Sequence, residues 1–253
     1  MKQNETSWQN VSEWYGDAVG RKGHYYHQHI ILPRSLKLLG LKKGSSLLDL
    51  ACGQGVLARQ IPKEVRYEGV DIAHNLIEQA ASLDRNREHI YHVADIGKEL
   101  PFQKNFFSHA AIILALQNVE DPEGVISNAQ RHLKKYGKFL IVLNHPCFRI
   151  PRQTRWEIDE KSRIQYRRID RYMTSLKVPI SIHPGRGARS EITWSYHIPL
   201  SEYSRMLSIH GFVIEQLEEW ISDKQSVGEA AKMENRARSE FPLFMAILAR
   251  KDR

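Results

Sequence analysis

Two carboxylates, Asp49 and Asp71, stand 22 positions apart, each in a short apolar run, and the first leads into the small-residue turn Ala51-Cys52-Gly53-Gln54-Gly55. Small residues let a backbone approach a ligand closely. A carboxylate ending Gly69-Val70-Asp71-Ile72 can accept hydrogen bonds from both hydroxyls of a ribose, so the pairing reads as a nucleoside site. Gly53-x-Gly55-x-x-Ala58 also satisfies the looser dinucleotide fingerprint, which keeps a dehydrogenase in view. Two features weigh against that alternative. Asp49 precedes the turn, where its charge would repel a pyrophosphate but attract a cationic methionine moiety, and about 45 residues precede the first strand.

Further residues suit acceptor chemistry. His145 directly follows the apolar run ending at Leu143-Asn144, and histidine is the usual general base near neutral pH, so it is the candidate catalytic group; its alternative is a structural capping role. Gln117 and Asn118 follow another such run and could orient an acceptor. The stretch Gly23-His24-Tyr25-Tyr26-His27-Gln28-His29 could close over a ligand, with Tyr26 and His27 as contacts, or simply pack as an amphipathic helix. Its histidine spacing permits a metal, but no matching cysteine or carboxylate set accompanies it, so no metal is expected.

The elements that must position these residues alternate. Ser46–Leu50, Tyr67–Asp71, Ile90–Ala94, Phe107–Ala115 and Lys138–Asn144 read as five parallel strands, with a helix expected from about Val56, another over Leu76–Leu83, and one starting at Asp121-Pro122. Such alternation implies a doubly wound α/β sheet, whose ligands sit outside the carboxyl ends of the strands. Residues 1–43 read as a helical, aromatic- and histidine-rich cap or lid, and residues 44–253 as the main domain. Residues 149–198 interrupt the alternation as an insertion. After it come a helix over Pro199–His210, a strand over Phe212–Glu218, and a last run, Pro242–Ala249, returning as its antiparallel partner.

Composition narrows the partners. The chain has 253 residues with a net charge of +8, and the insertion, with eleven Arg or Lys against five Asp or Glu, supplies six of those charges. Interleaved Trp156, Tyr166, Tyr172 and Trp194 make it a candidate anion-binding and stacking surface, with Arg152 and Trp156 as substrate contacts. It reads either as a lid for an acidic or aromatic small molecule or as a groove for RNA, a solvated, partly acid-paired face being the bland alternative. No apolar run approaches the roughly 20 residues of a membrane span. The polar N-terminus lacks a secretory core, and Cys52 and Cys147 form no pair, so the expectation is a cytoplasmic protein with no membrane partner. Oligomeric state is not readable.

Taken together, Leu48–Gly55 resembles motif I of the class I S-adenosylmethionine-dependent methyltransferases, and Gly69–Ala73 their motif II. Ala94-Asp95-Ile96 resembles the third element, Leu114–Pro122 (LALQNVEDP) the fourth, Leu133–Leu143 the "LKPGG" turn with the fifth strand, and Ser201–Glu218 with Pro242–Ala249 the closing hairpin. The likeness is nearest to the ubiquinone and menaquinone biosynthesis type. One departure is Ala51-Cys52, where the commonest pattern has glycine and a small or polar residue. The resemblance implies a Rossmann-like seven-stranded sheet of order 3-2-1-4-5-7-6 with the last strand antiparallel, and S-adenosyl-L-methionine as cofactor. It implies cofactor roles for Asp49, Ala51, Gly53, Gly55, Asp71, Ile72, Asp95, Ile96 and Leu114. The expected function is methyl transfer to oxygen or nitrogen of a small molecule. The alternatives are an RNA methyltransferase using the arginine-rich insertion, and a protein that binds the cofactor without catalysis.

Overall fold

Five consecutive buried residues, SLLDL, form the central strand β1 (Ser46–Leu50). It is flanked in parallel by β2 (Arg66–Asp71) and β4 (Phe107–Ile113). A strand covered on both faces reads as a continuous apolar run, and β1 fits that rule except at Asp49. β3 (Ile90–Val93) joins β2, and β5 (Leu133–Asn144) joins β4, both in parallel. β11 (Phe244–Lys251) then runs antiparallel between β5 and β10 (Phe212–Trp220). The order β3-β2-β1-β4-β5-β11-β10 is the doubly wound arrangement expected, with the chain's last strand antiparallel. The structure, a computed structural model, describes residues 7–20, 22–182 and 190–252. Arg186 and Arg189 of the basic insertion lie outside the described residues.

Two apolar layers sandwich the sheet. On one face α5 (Pro122–His132) and α6 (Leu200–Ile209) bury Ile126, Ala129 and Leu207 against Phe107, Phe139 and Phe212. On the other, α3 (Leu32–Leu39) buries Leu38 and Leu39 in a layer with Leu47, Tyr67 and Trp220. α5 begins as its sequence dictates: Pro122 sits in the first turn, and the Asp121 carboxylate accepts from the Gly124 N–H at 2.9 Å. α4 (His74–Leu83) follows β2.

The crossover after β1 differs from expectation. No α-helix starts at Val56; turns run to Leu57 and only a 3-10 turn, Ala58–Gln60, follows. The cause is Pro62: the residue before a proline is pushed to extended backbone, as Ile61 is (φ −80°, ψ 157°), leaving too few residues for a helix.

The insertion is strand-forming. β6 (Thr154–Asp159) and β7 (Ile164–Ile169) make one antiparallel hairpin, and β8 (Leu176–Ser181) and β9 (Ile192–His197) a second. A seventh main helix, α7 (Ala231–Glu240), occupies the polar stretch before β11. At the N-terminus lie α1 (Ser7–Asn10), α2 (Ser12–Val19) and a π-helical turn, His27–Ile31, that runs into α3. This segment is fastened to the sheet domain: Gln54 Nε2 donates to the Gly20 carbonyl at 2.8 Å, and Asn75 Nδ2 to Ser12 Oγ at 3.2 Å. Among the described residues no helix is long and apolar enough to cross a membrane.

Phe139, fully buried in β5 and 5.6 Å from the Phe212 ring, joins the sheet to the α6 layer. Phe139→Ala should lower unfolding stability by about 3–5 kcal/mol in urea titration with an unchanged m-value. A loss under ~1 kcal/mol would show that this layer is not the core described.

Candidate active site

The carboxyl ends of β1, β2, β4 and β5 open into one cleft of about 790 Å³. At its near end, Asp71 is buried, with Oδ2 accepting from the Gly53 N–H and Oδ1 from the Ala73 N–H, both at 2.9 Å. Each oxygen retains a lone pair for a hydroxyl. Burial pushes its carboxyl above the ordinary range, and these backbone donors oppose the rise. Asp95 offers a second acceptor: its Oδ1 takes the Gly97 N–H at 2.9 Å, and Ile96 beside it forms an apolar wall.

Two turns shape the floor. Ala51 (φ 56°), Gly53 (φ 55°) and Gly55 (φ 72°) are left-handed after β1, and Leu114 (φ 55°) is left-handed after β4. Ala51, Gly53, Ile72 and Leu114 all line the cleft. Gly55 does not; a Cβ there would meet Tyr91 Oη at 2.9 Å, so its role is close packing beneath the turn. Asp49 also lies beneath it, 2 % exposed, and accepts from the Tyr67 hydroxyl at 2.8 Å. Its contribution is thus made through the turn, since it has no face on the cleft.

The far end of the cleft mixes expected and unexpected residues. Gln117 and Asn118 are there, both donating to the Leu114 carbonyl, at 2.8 and 3.4 Å, while the buried Gln117 Oε1 has no partner among the described residues. Tyr26 and His27 are there too. The Tyr26 hydroxyl pairs with Ser222 Oγ at 3.0 Å, and His24 Nδ1 accepts from the backbone N–H of Tyr26 at 3.1 Å. Burial and the neighbouring His24 drive the His27 imidazole down to about 3, so it is neutral at physiological pH.

Three expected residues are elsewhere. His145 is 1 % exposed and does not line the cleft; its Nδ1 accepts from the Cys147 N–H at 3.1 Å and its Nε2 pairs with Glu219 Oε1 at 2.7 Å. With both ring nitrogens engaged, neither can take a proton from an acceptor in the cleft. Arg152 is an exposed turn residue (φ 62°). Trp156 sits on β6, edge-on to Phe241 at 5.3 Å with Arg167 over its ring, away from the cleft. The insertion contributes Arg149, Trp194 and Tyr196 instead, and β5 contributes Asn144. The alternation in Ile192-x-Trp194-x-Tyr196 was the available signal: period two puts these side chains on one face of a strand.

This geometry can be set beside known proteins. Residues 48–141 match a family model described as a methyltransferase domain. That segment, from β1 into β5, is similar to a methyltransferase domain. The S-adenosylmethionine-dependent methyltransferase of Mesorhizobium loti superposes with a TM-score of 0.68 at 23% identity, over 91% of this chain and all of that one. The [4+2]-cyclase SpnF superposes at 0.64 with 16% identity, over 98% of this chain and 97% of its own. In sequence, the demethylmenaquinone methyltransferase of Staphylococcus aureus strain JH9 is 28% identical over 133 residues, 51% of this chain and 55% of that protein. The chain therefore spans about half the length of the curated relatives it matches. S-adenosylmethionine, the cofactor of the Mesorhizobium loti protein, fits the near end: Asp71 has lone-pair positions for a ribose, Asp95 for an adenine amino group, and the turn after β1 lacks bulk.

Beneath the turn, burial raises the Asp49 carboxyl to about 7, opposed by the Tyr67 hydrogen bond and reinforced by Asp71. A folded-state value above the unfolded one (about 4) gives stability that is full at low pH and lost as pH rises through the folded value. Relative to Asp49→Asn, wild type should lose stability between about pH 4 and 7 and level off above, in urea unfolding across that range. A pH-independent difference would place the Asp49 carboxyl in its ordinary range.

Proposed function

We propose that the protein transfers the methyl group of S-adenosylmethionine to oxygen or nitrogen of a small acidic or aromatic molecule. The observation that carries this reading is the continuity of one cleft, from the Asp71–Gly53 nucleoside cradle to a compartment walled by Tyr26, Trp194, Tyr196 and Phe244. The cofactor supplies a sulfonium-bound electrophilic methyl, displaced in line with loss of charge on sulfur. The chain's own share is alignment and exclusion of water, which can supply much of the acceleration. Asp71 and Asp95 hold the donor; Gln117, Asn118 and Tyr26 orient the acceptor; the segment around His24 and His27 forms a wall over the cleft. A neutral His27 can accept or donate a hydrogen bond without adding charge.

The small-molecule reading is favoured over RNA by the pairing of two of the insertion's exposed arginines. Arg155 bridges to Glu157 at 2.7 Å, and Arg168 to Glu157 and Asp170 at 3.4 and 3.3 Å. Guanidinium groups already matched by carboxylates offer less to a phosphate backbone. Residues 1–43 act in this reading as a lid and 44–253 as the catalytic domain, with the second hairpin of the insertion as the acceptor wall. A cytoplasmic location accords with the two free thiols, Cys52 and Cys147.

Calorimetric titration should give micromolar binding of S-adenosylmethionine and S-adenosylhomocysteine, none of NAD, and at least tenfold weaker binding in Asp71→Ala, about 1.4 kcal/mol or more. Gln117→Ala should lower turnover, read as S-adenosylhomocysteine release with aromatic acids as acceptors, while leaving cofactor affinity within about twofold. Binding of NAD in place of the first two would overturn the proposal. Turnover indifferent to Gln117 would remove it from the acceptor site.

A further inference from the structure

The far half of the cleft contains a cation with no counter-ion among the described residues. Arg149, half-buried where the chain leaves β5, donates from Nη1 to Asn144 Oδ1 at 2.9 Å, and its guanidinium lies 5.6 Å from the Phe244 ring centroid. A guanidinium has five N–H donors. No other hydrogen bond and no carboxylate partner engages it among the described residues, whereas arginines such as Arg131, Arg155, Arg205 and Arg250 all form ion pairs. Burial, together with nearby Arg167, presses its pKa below the usual value, the direction expected for a charge whose partner is missing. Arg167 itself is committed elsewhere, to the Phe148 carbonyl at 2.9 Å and to Thr154 Oγ1 at 2.7 Å.

The surroundings narrow what would complete it. The acids of the cleft, Asp71, Asp95, Glu120 and Asp121, stand on β2, after β3 and after β4, whereas Arg149 stands after β5. An uncompensated charge withdrawn from water is costly unless paired, so an anionic guest is favoured at this end and not at the other. One guanidinium with a neutral amide beside it matches a planar monoanion in a forked geometry; a dianionic phosphate would call for more charge. Around it the walls are flat: Tyr26, Phe244, Trp194 and Tyr196. Lys177, which sits 5.0 Å from the Trp194 ring centroid, is already bonded to Glu120 at 2.8 Å and does not compete.

We propose that Arg149, positioned by Asn144, anchors the carboxylate of an aromatic acceptor in this cleft. Resting on the methyltransferase reading above, this narrows its acceptor to aromatic carboxylic acids and makes Arg149 a specificity-determining residue. The carboxylate is held at the β5 end, and the atom to be methylated lies toward the donor.

The test is calorimetry on the full chain saturated with S-adenosylhomocysteine, using benzoate, 4-hydroxybenzoate and indole-3-acetate, with phenol and 4-hydroxybenzamide as neutral counterparts. Wild type should bind at least one of the acids. Arg149→Met should weaken that binding tenfold or more, Arg149→Lys should restore part of it, and the neutral compounds should bind weakly to all three proteins. Affinity for S-adenosylhomocysteine and the thermal midpoint should stay unchanged in both variants. Equal binding of acids to wild type and Arg149→Met overturns the proposal, as does failure of every acid to bind wild type that binds S-adenosylhomocysteine. A collapse of S-adenosylhomocysteine affinity in both variants overturns it as well, assigning Arg149 to the cofactor's own carboxylate. Wild type that binds no S-adenosylhomocysteine fails at the earlier step, and it is then the methyltransferase reading that falls.

Discussion

The site hangs on one carboxylate. Asp71 closes β2 by accepting two backbone N–H groups, one from the turn after β1 and one from the start of α4. It therefore joins three elements at a point where no side chain of the turn could do so, the turn having little but backbone to offer. Burial favours the neutral carboxyl, and the backbone donors favour the ionised form against that cost, with no cation paired to it among the described residues. A backbone bond from the Cys52 N–H to the Val70 carbonyl, at 3.0 Å, ties the same turn to β2 a second time.

Around this tie, backbone strain is concentrated where it is useful. Ala51 and Leu114 are non-glycine residues held left-handed at the ends of the adjacent strands β1 and β4, each at about 1–2 kcal/mol over a right-handed conformation. Adjacent strand ends whose connections depart to opposite faces form the crevice in which such sheets hold ligands. The alanine at position 51, unusual for the motif, is thus accommodated by paying the same conformational cost that Leu114 pays. The Leu114 carbonyl is simultaneously tied down by Gln117 and Asn118, which fixes the turn against relaxation.

Most of the sheet was legible because its strands are buried on both sides and so read as unbroken apolar runs; Ser46–Leu50 is identical in sequence expectation and structure. That Asp71 and Asp95 reach the cleft was legible for a related reason, since both stand at strand ends where position follows from topology. What escaped were features set by competition. The helix after Gly55 was lost to Pro62, a residue visible in the sequence whose reach back along the chain outweighed the helical pattern. The insertion's charges obscured the period-two alternation of both hairpins. His145 stands in the right place along the chain, but direction decides function there: its ring turns to Glu219 on β10 rather than toward the cleft, a pairing across 74 residues that no local pattern encodes.

The second hairpin has a consequence of a different kind. Among the described residues β8 and β9 pair only with each other, and β9 buries Thr193, Ser195 and His197 on one face while Trp194 and Tyr196 look onto the cleft. The turn and carboxylates at the near end of the cleft are encoded between residues 49 and 97, whereas this wall is encoded about a hundred residues later and, among the described residues, shares no ladder with the main sheet. Inheritance can therefore alter the two independently. Exchanging residues on β9 would let a lineage reshape that wall while the turn and carboxylates at the other end of the cleft are passed on intact.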